Sequence, residues 1–255
     1  MKKLFILSTI VALISLSIIS CSKKDDDNTT SKDYSDIVAD EIAASSTNVS
    51  GQVLASSSSS GEYKPKSLKS TANSLETTAL DTVFQKEKTF AKVSTPLDPF
   101  TFSFSYHVFF GIVLNDSKVI DNMFYNSDAS GSFNNGVVKA SIEESSKWVL
   151  TGFNPDSAYF SLNGTGTLKG NSVNKAKEDT IISISDIRFS NIRVNKTTDE
   201  ITNGTLYWNI SGTVNGENFK YSAVLKFTSK TEAVLTLSDN KYYINIETGK
   251  VTSKE

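Results

Sequence analysis

Phe100-Thr101-Phe102-Ser103-Phe104-Ser105-Tyr106-His107-Val108-Phe109-Phe110 alternates apolar and polar side chains almost without interruption. In an extended chain successive side chains leave opposite faces, so Phe100, Phe102, Phe104, Tyr106, Val108 and Phe110 share one face and Thr101, Ser103, Ser105 and His107 the other. Such a strand has a core on one side and water on the other. The same register makes His107, the sole histidine, a surface residue among Thr and Ser rather than a catalyst, and no second imidazole exists to help it hold a metal.

Outward from this stretch the period of two continues. Leu206, Trp208, Ile210 and Val214 precede Asn215-Gly216, and Phe219, Tyr221, Ala223, Leu225 and Phe227 follow it. Asn-Gly tolerates the positive φ angles of a two-residue turn, so this pair reads as a hairpin. Asn134-Asn135-Gly136, Asn163-Gly164, Asn203-Gly204 and Asp239-Asn240 give further turn signals. The pattern predicts strands near 82–92, 100–113, 118–126, 131–142, 147–153, 158–168, 180–194, 203–214, 217–228, 231–238 and 241–247, with no useful helix between them. The expected fold is all-β: a large antiparallel twisted sheet, sandwich or open barrel of about 11 strands. A membrane barrel would carry a continuous lipid-facing apolar band, whereas Lys220, Ser222 and Lys226 occupy the second face here.

The amino terminus has a different character. Lys2 and Lys3 precede an apolar run from Leu4 to Ile19, the form of a secretory signal, and the run is short and serine-interrupted for a membrane span. Ile18-Ile19-Ser20-Cys21, followed by Ser22-Lys23-Lys24-Asp25-Asp26-Asp27, resembles the lipobox and export signal of surface-exposed Bacteroidetes lipoproteins. That resemblance covers only the leader and its junction. It implies removal of residues 1–20, acylation of Cys21, an outer-membrane lipid partner held through that cysteine, and a chain facing the cell exterior, with Lys23, Lys24, Asp25, Asp26 and Asp27 as the address. Several acyl chains would make a durable anchor where one is marginal.

Removing residues 1–20 takes two lysines and no acid from a chain of net charge −2, leaving −4. Such a chain has no electrostatic attraction to anionic lipid, and without a basic stripe it is not read as a nucleic-acid binder. Ile37, Val38, Glu41 and Ile42 allow a short helix within 33–44. Residues 45–80 contain 11 Ser and 4 Thr and too little apolar surface to offset ordering entropy, so residues 21–80 are expected to be a flexible tether. The β domain is then 81–251, with a tail at 252–255.

Chemistry is sparse. A single cysteine permits no internal disulfide, and no G-x-S-x-G, P-loop, G-x-G-x-x-G or H-E-x-x-H occurs, so neither cofactor nor metal is expected. Asp121, Glu143, Glu144, Asp156 and Asp186 are numerous enough for a carboxylate pair, but sequence does not pair them. Tyr207 with Trp208, and Tyr242 with Tyr243, must place one ring of each pair on either face. Tyr207 and Tyr243 are therefore candidate contacts for a glycan or protein partner. Asp81-Thr82-Val83, Asp156-Ser157-Ala158 and Asp179-Thr180-Ile181 resemble the O-glycosylation acceptor of exported Bacteroidetes proteins, making Thr82, Ser157 and Thr180 candidate sites. The leading expectation is a non-enzymatic, lipid-anchored cell-surface binding or structural module. A periplasm-facing carrier of lipid or glycan comes second, and a glycan-processing enzyme third.

Overall fold

A computed structural model describes residues 32–61, 82–93, 101–117 and 119–255. Helix α1 (Ser35–Gly61) is followed by β1 (Thr82–Val93), β2 (Thr101–Leu114), β3 (Ile120–Asn134), β4 (Val138–Thr151), β5 (Tyr159–Asn174) and β6 (Asp179–Asn195). Then come β7 (Glu200–Val214), β8 (Glu217–Phe227), β9 (Glu232–Leu237), β10 (Asn240–Asn245) and β11 (Lys250–Lys254). Every strand pairs antiparallel with the next, and the eleven form one open sheet in chain order. The all-β expectation holds. Cys21, the Lys23–Asp27 segment and residues 62–80 lie outside the described residues.

The alternation that defined β2 is met: Phe104, Tyr106 and Phe110 are buried, while Thr101, Ser103, Ser105 and His107 are exposed. β4 is stricter still, with every second residue from Val138 to Leu150 buried. The turn residues sort into two physical classes. Asn215 (φ 53°) and Gly216 (φ 89°) form the expected hairpin turn. Asn163-Gly164 and Asn203-Gly204 are instead irregularities within β5 and β7, where the pairing register shifts. At Gly164 a Cβ would stand 2.2 Å from the Lys147 carbonyl oxygen, so only glycine lets β4 and β5 approach there.

Three strand boundaries are corrected. The predicted strands 118–126, 131–142 and 147–153 are two strands, β3 and β4, because the chain reverses at residues 135–137. There Asn135 Oδ1 accepts from the amides of Val137 and Val138, closing the turn with its own side chain. The expected tail, 252–255, belongs largely to β11, which pairs with β10. Its sequence, Lys-Val-Thr-Ser-Lys, has no apolar alternation to announce it.

The tether expectation fails over 35–61, where the chain forms one 27-residue helix enclosed by the sheet. Ile37, Val38, Ile42, Val49 and Val53 are buried, and so are Glu41, Ser45, Ser46, Asn48, Ser50 and Gln52. A helix polar around most of its circumference has no packing stripe. It is stable here because the sheet supplies polar partners: α1 meets β4, β5, β7, β9, β10 and β11. The sheet curls around it, and Asn135 Nδ2, in the β3–β4 turn, donates to the Gly249 carbonyl in the β10–β11 turn at 2.7 Å.

Away from the polar waist the inward face is apolar. Phe110, Tyr125, Trp148 and Phe189 form a chain of rings across β2 to β6, with centroids 5.7, 6.4 and 5.6 Å apart. Gly164 lies between Trp148 and Phe189 in the register, and its missing side chain lets those rings meet across β5.

Candidate functional site

Helix α1 and the aromatic rings fill most of the inward face, whereas the outward face exposes a continuous polar surface. Strand register brings seven outward residues into one line across the sheet: His107, Asp128, Ser145, Thr167, Asp186, Asn209 and Ser222. All are polar. Seven strands at the usual spacing make the line about 29 Å long. The parallel line beside it contains Lys147, Thr165, Arg188, Tyr207 and Val224.

Two hollows follow these lines. One, of about 800 Å³, is lined by Lys147, Thr165, Asp186, Arg188, Tyr207, Asn209 and Ser222 among others. The second, of about 400 Å³, takes in His107, Asp128, Glu143 and Lys169. They meet at Ser145 and Thr167. The short side chains of β4 and β5 make a floor, and the long ones of Lys147, Arg188 and Tyr207 stand beside it.

Tyr207 is 38% exposed. The Arg188 guanidinium carbon lies 4.1 Å from its ring centroid, a cross-strand stacking that fixes both groups before any ligand arrives. Asn209 Oδ1 accepts from Ser222 Oγ at 2.8 Å, which orients the carboxamide and leaves its amide hydrogens for a ligand. Thr167 Oγ1 lies 3.4 Å from Asp186 Oδ1, a long contact that a ligand hydroxyl would readily replace. Among the described side chains that face outward here, acids and bases balance, with Asp128, Glu143 and Asp186 against Lys147, Lys169 and Arg188. The trough thus presents a fixed aromatic plate, donors, acceptors and no net charge.

The remaining sequence candidates are dispersed. Tyr243 is outward but half-buried on β10, pairs with Val234, and has its hydroxyl engaged by Glu255, which pushes the phenol up. It is not brought together with Tyr207. Their neighbours behave as expected: Trp208 and Tyr242 are buried at 1% and 2% exposure. Thr180 is exposed at the start of β6, and its amide donates to Asn215 Oδ1. Ser157 sits in the β4–β5 connection, its hydroxyl donating to the Tyr159 carbonyl at 2.6 Å. Thr82 begins β1 opposite Val113.

The carboxylates named from sequence separate too. Glu143 and Asp186 face outward two strands apart, Asp121 is the second residue of β3 and Asp156 lies in the β4–β5 connection. Glu144 points inward and is buried. Its Oε2 accepts from Asn48 Nδ2 and Gln52 Nε2, each at 2.7 Å, and its Oε1 from Ser146 Oγ at 2.8 Å. Asn48 Oδ1 in turn accepts from the Tyr106 hydroxyl at 2.8 Å. Burial pushes the Glu144 carboxyl up to about 7 against the pull of its three donors. Glu41, beside Ser172 Oγ at 2.5 Å, is likewise pushed to about 7 by burial. These two acids join helix to sheet; Glu144 borders the second hollow but turns its carboxyl inward to the helix.

Sequence reasoning reached Tyr207 by alternation and noted Asp186 only as one available acid. It missed Arg188, Asn209, Lys147, Thr165 and Thr167, because their meeting depends on pairing register between strands. Outward parity was their only signal. Among the described residues no three His, Cys, Asp or Glu side chains gather as a metal site would require. No protein-family description, curated protein or solved structure matches the chain.

Proposed function

We propose that the protein is a lipid-anchored cell-surface module that binds a neutral oligosaccharide along the outward trough and does no chemistry on it. The observation that carries this reading is the uninterrupted polar line across seven strands beside the Arg188-stacked Tyr207 ring. A sugar chain offers apolar ring faces to an aromatic plate and hydroxyls to mixed donors and acceptors. Balanced charge favours an uncharged chain over a nucleic acid or acidic polysaccharide. A rigid sheet holds the contacts in place, lowering the ordering cost of binding.

The test is affinity electrophoresis and calorimetry with a panel of soluble neutral and acidic glycans. A neutral glycan binds, Tyr207→Ala and Arg188→Ala each weaken it at least tenfold, and thermal unfolding of both variants stays near that of the parent. A panel without any saturable ligand, or binding indifferent to both substitutions, overturns the reading. Anchoring is tested separately: Cys21→Ser abolishes membrane fractionation, and protease applied to intact cells removes the β domain. Protection of the domain would place it on the periplasmic side.

A further inference from the structure

A cleft of about 440 Å³ lies between α1 and strand ends on both sides of it. Its walls include Leu54 of the helix, Phe104 and Tyr106 of β2, Phe133 of β3, Ile201 of β7 and Ile246 after β10. This size falls within the range of small-molecule sites.

The polar groups inside the cleft are already used. Thr47 Oγ1 donates to the Ile246 carbonyl and Ser50 Oγ to the Thr47 carbonyl. Asn48 is held at both ends of its carboxamide by Glu144 and Tyr106. Asn135 gives its amide to Gly249 and its oxygen to two backbone amides. A polar ligand body would lose its water here and gain few partners, so the walls suit an apolar one.

The rim is different. Among the described residues the rim brings three carboxylates, Asp199, Glu200 and Glu247, and one ammonium, Lys230, which pairs with Glu200 at 3.0 Å, while Asp199 Oδ1 accepts from Ser57 Oγ at 3.0 Å. This imbalance favours a positive head group over a carboxylate or phosphate.

Gly51 marks the space from the helix side. It lines the cleft in mid-helix, where glycine is unfavourable, and a Cβ there would meet nothing within 4 Å. The residue is neither a turn nor a close-packing glycine. It leaves room.

We infer that this cleft binds a single-chain cationic amphiphile, with its apolar chain between α1 and the aromatic wall and its head at the Asp199–Glu200–Glu247 rim. This site is independent of the outward trough.

The test is calorimetric titration of the full chain with dodecylamine, laurate and dodecanol, each below its micellar concentration. Dodecylamine binds saturably at one site, at least tenfold more tightly than laurate. Gly51→Leu and Leu54→Trp, which fill the space from two positions, each weaken it at least tenfold. Gly51→Leu keeps or raises the melting temperature, and Tyr207→Ala leaves amine binding unchanged. Absence of saturable dodecylamine binding overturns the site, as does undiminished binding by both filling variants. Laurate binding as tight as dodecylamine overturns the assigned head group.

Discussion

Tyr207 and Trp208 are neighbours in the chain and opposites in the molecule. Tyr207 stands on the outward face under the Arg188 guanidinium, and Trp208 is sealed inside at 1% exposure. The contrast runs through the whole sheet. Inward polar groups such as Glu144 and Ser172 are committed to the protein's own helix, and Ser146 to Glu144. Outward ones such as Asp186 and Asn209 retain capacity for a ligand. One sheet therefore carries a structural polarity and a binding polarity on its two surfaces, separated by one residue along the chain.

Truncating the two neighbours is the strongest way to break this contrast. Trp208→Ala should destabilise the fold by about 3–5 kcal/mol, the usual cost of removing a buried aromatic side chain. Tyr207→Ala should cost about 1 kcal/mol or less, mainly its stacking with Arg188, while weakening glycan binding at least tenfold. Urea unfolding of both variants makes the comparison, and equal losses would show that the outward ring is structural.

The buried acids give the next largest effect, with a sign. Glu41 and Glu144 both have folded values of about 7 against an ordinary value of 4.5. The folded state thus holds protons that the unfolded chain has released. Their stabilisation is complete below about pH 4.5 and is lost as pH rises through about 7. Each group should account for a fall on the order of 3 kcal/mol across that window. Glu144→Gln can reproduce the protonated pattern, its amide donating to Ser146 Oγ and its oxygen accepting from Asn48 and Gln52. It should match the parent at pH 5, exceed it at pH 8 and flatten the pH dependence by about half, as read from urea midpoints at the two values.

Two smaller substitutions sharpen the contrast. Gly51→Ala adds a Cβ where space is open and should stabilise the protein by roughly 0.5–1 kcal/mol through helix propensity. Ile184→Ser, at an outward residue 52% exposed, should change stability by less than about 0.5 kcal/mol. Thermal denaturation checks both, and a large loss at Ile184 would mean that the outward surface is covered by something structural.

The strands were legible because each carries its own signal. Alternation assigned both faces of β2, and Asn215-Gly216 fixed the β7–β8 hairpin by local backbone chemistry alone. Asn163-Gly164 misled because the same dipeptide suits a tight turn and a strand irregularity, and the choice lies with the neighbouring strand that presses on Gly164. β11 escaped notice for a related reason. Its residues carry little apolar signal, and its place comes from pairing with β10 and from Lys254 reaching Asp36 at the start of α1.

The helix was the main misreading, and the trough was read only in part. Glu41, Asn48 and Gln52 look like tether residues until Ser172 and Glu144, some 90 to 130 positions away, come within hydrogen-bond distance. Arg188 and Asn209 look like ordinary surface until register sets them beside Tyr207.

By itself the sequence determined the strand character, the inward or outward parity of most strand residues, and the hairpin at Asn215-Gly216. Those properties arise within a few bonds, from side-chain alternation and allowed backbone angles. Only the tertiary structure decided that a serine-rich segment is a buried helix, that polar residues of seven strands make one line, and that Gly51 faces a cleft. Each depends on which distant partner meets a group, and a polar side chain carries the same letter whether water or protein satisfies it.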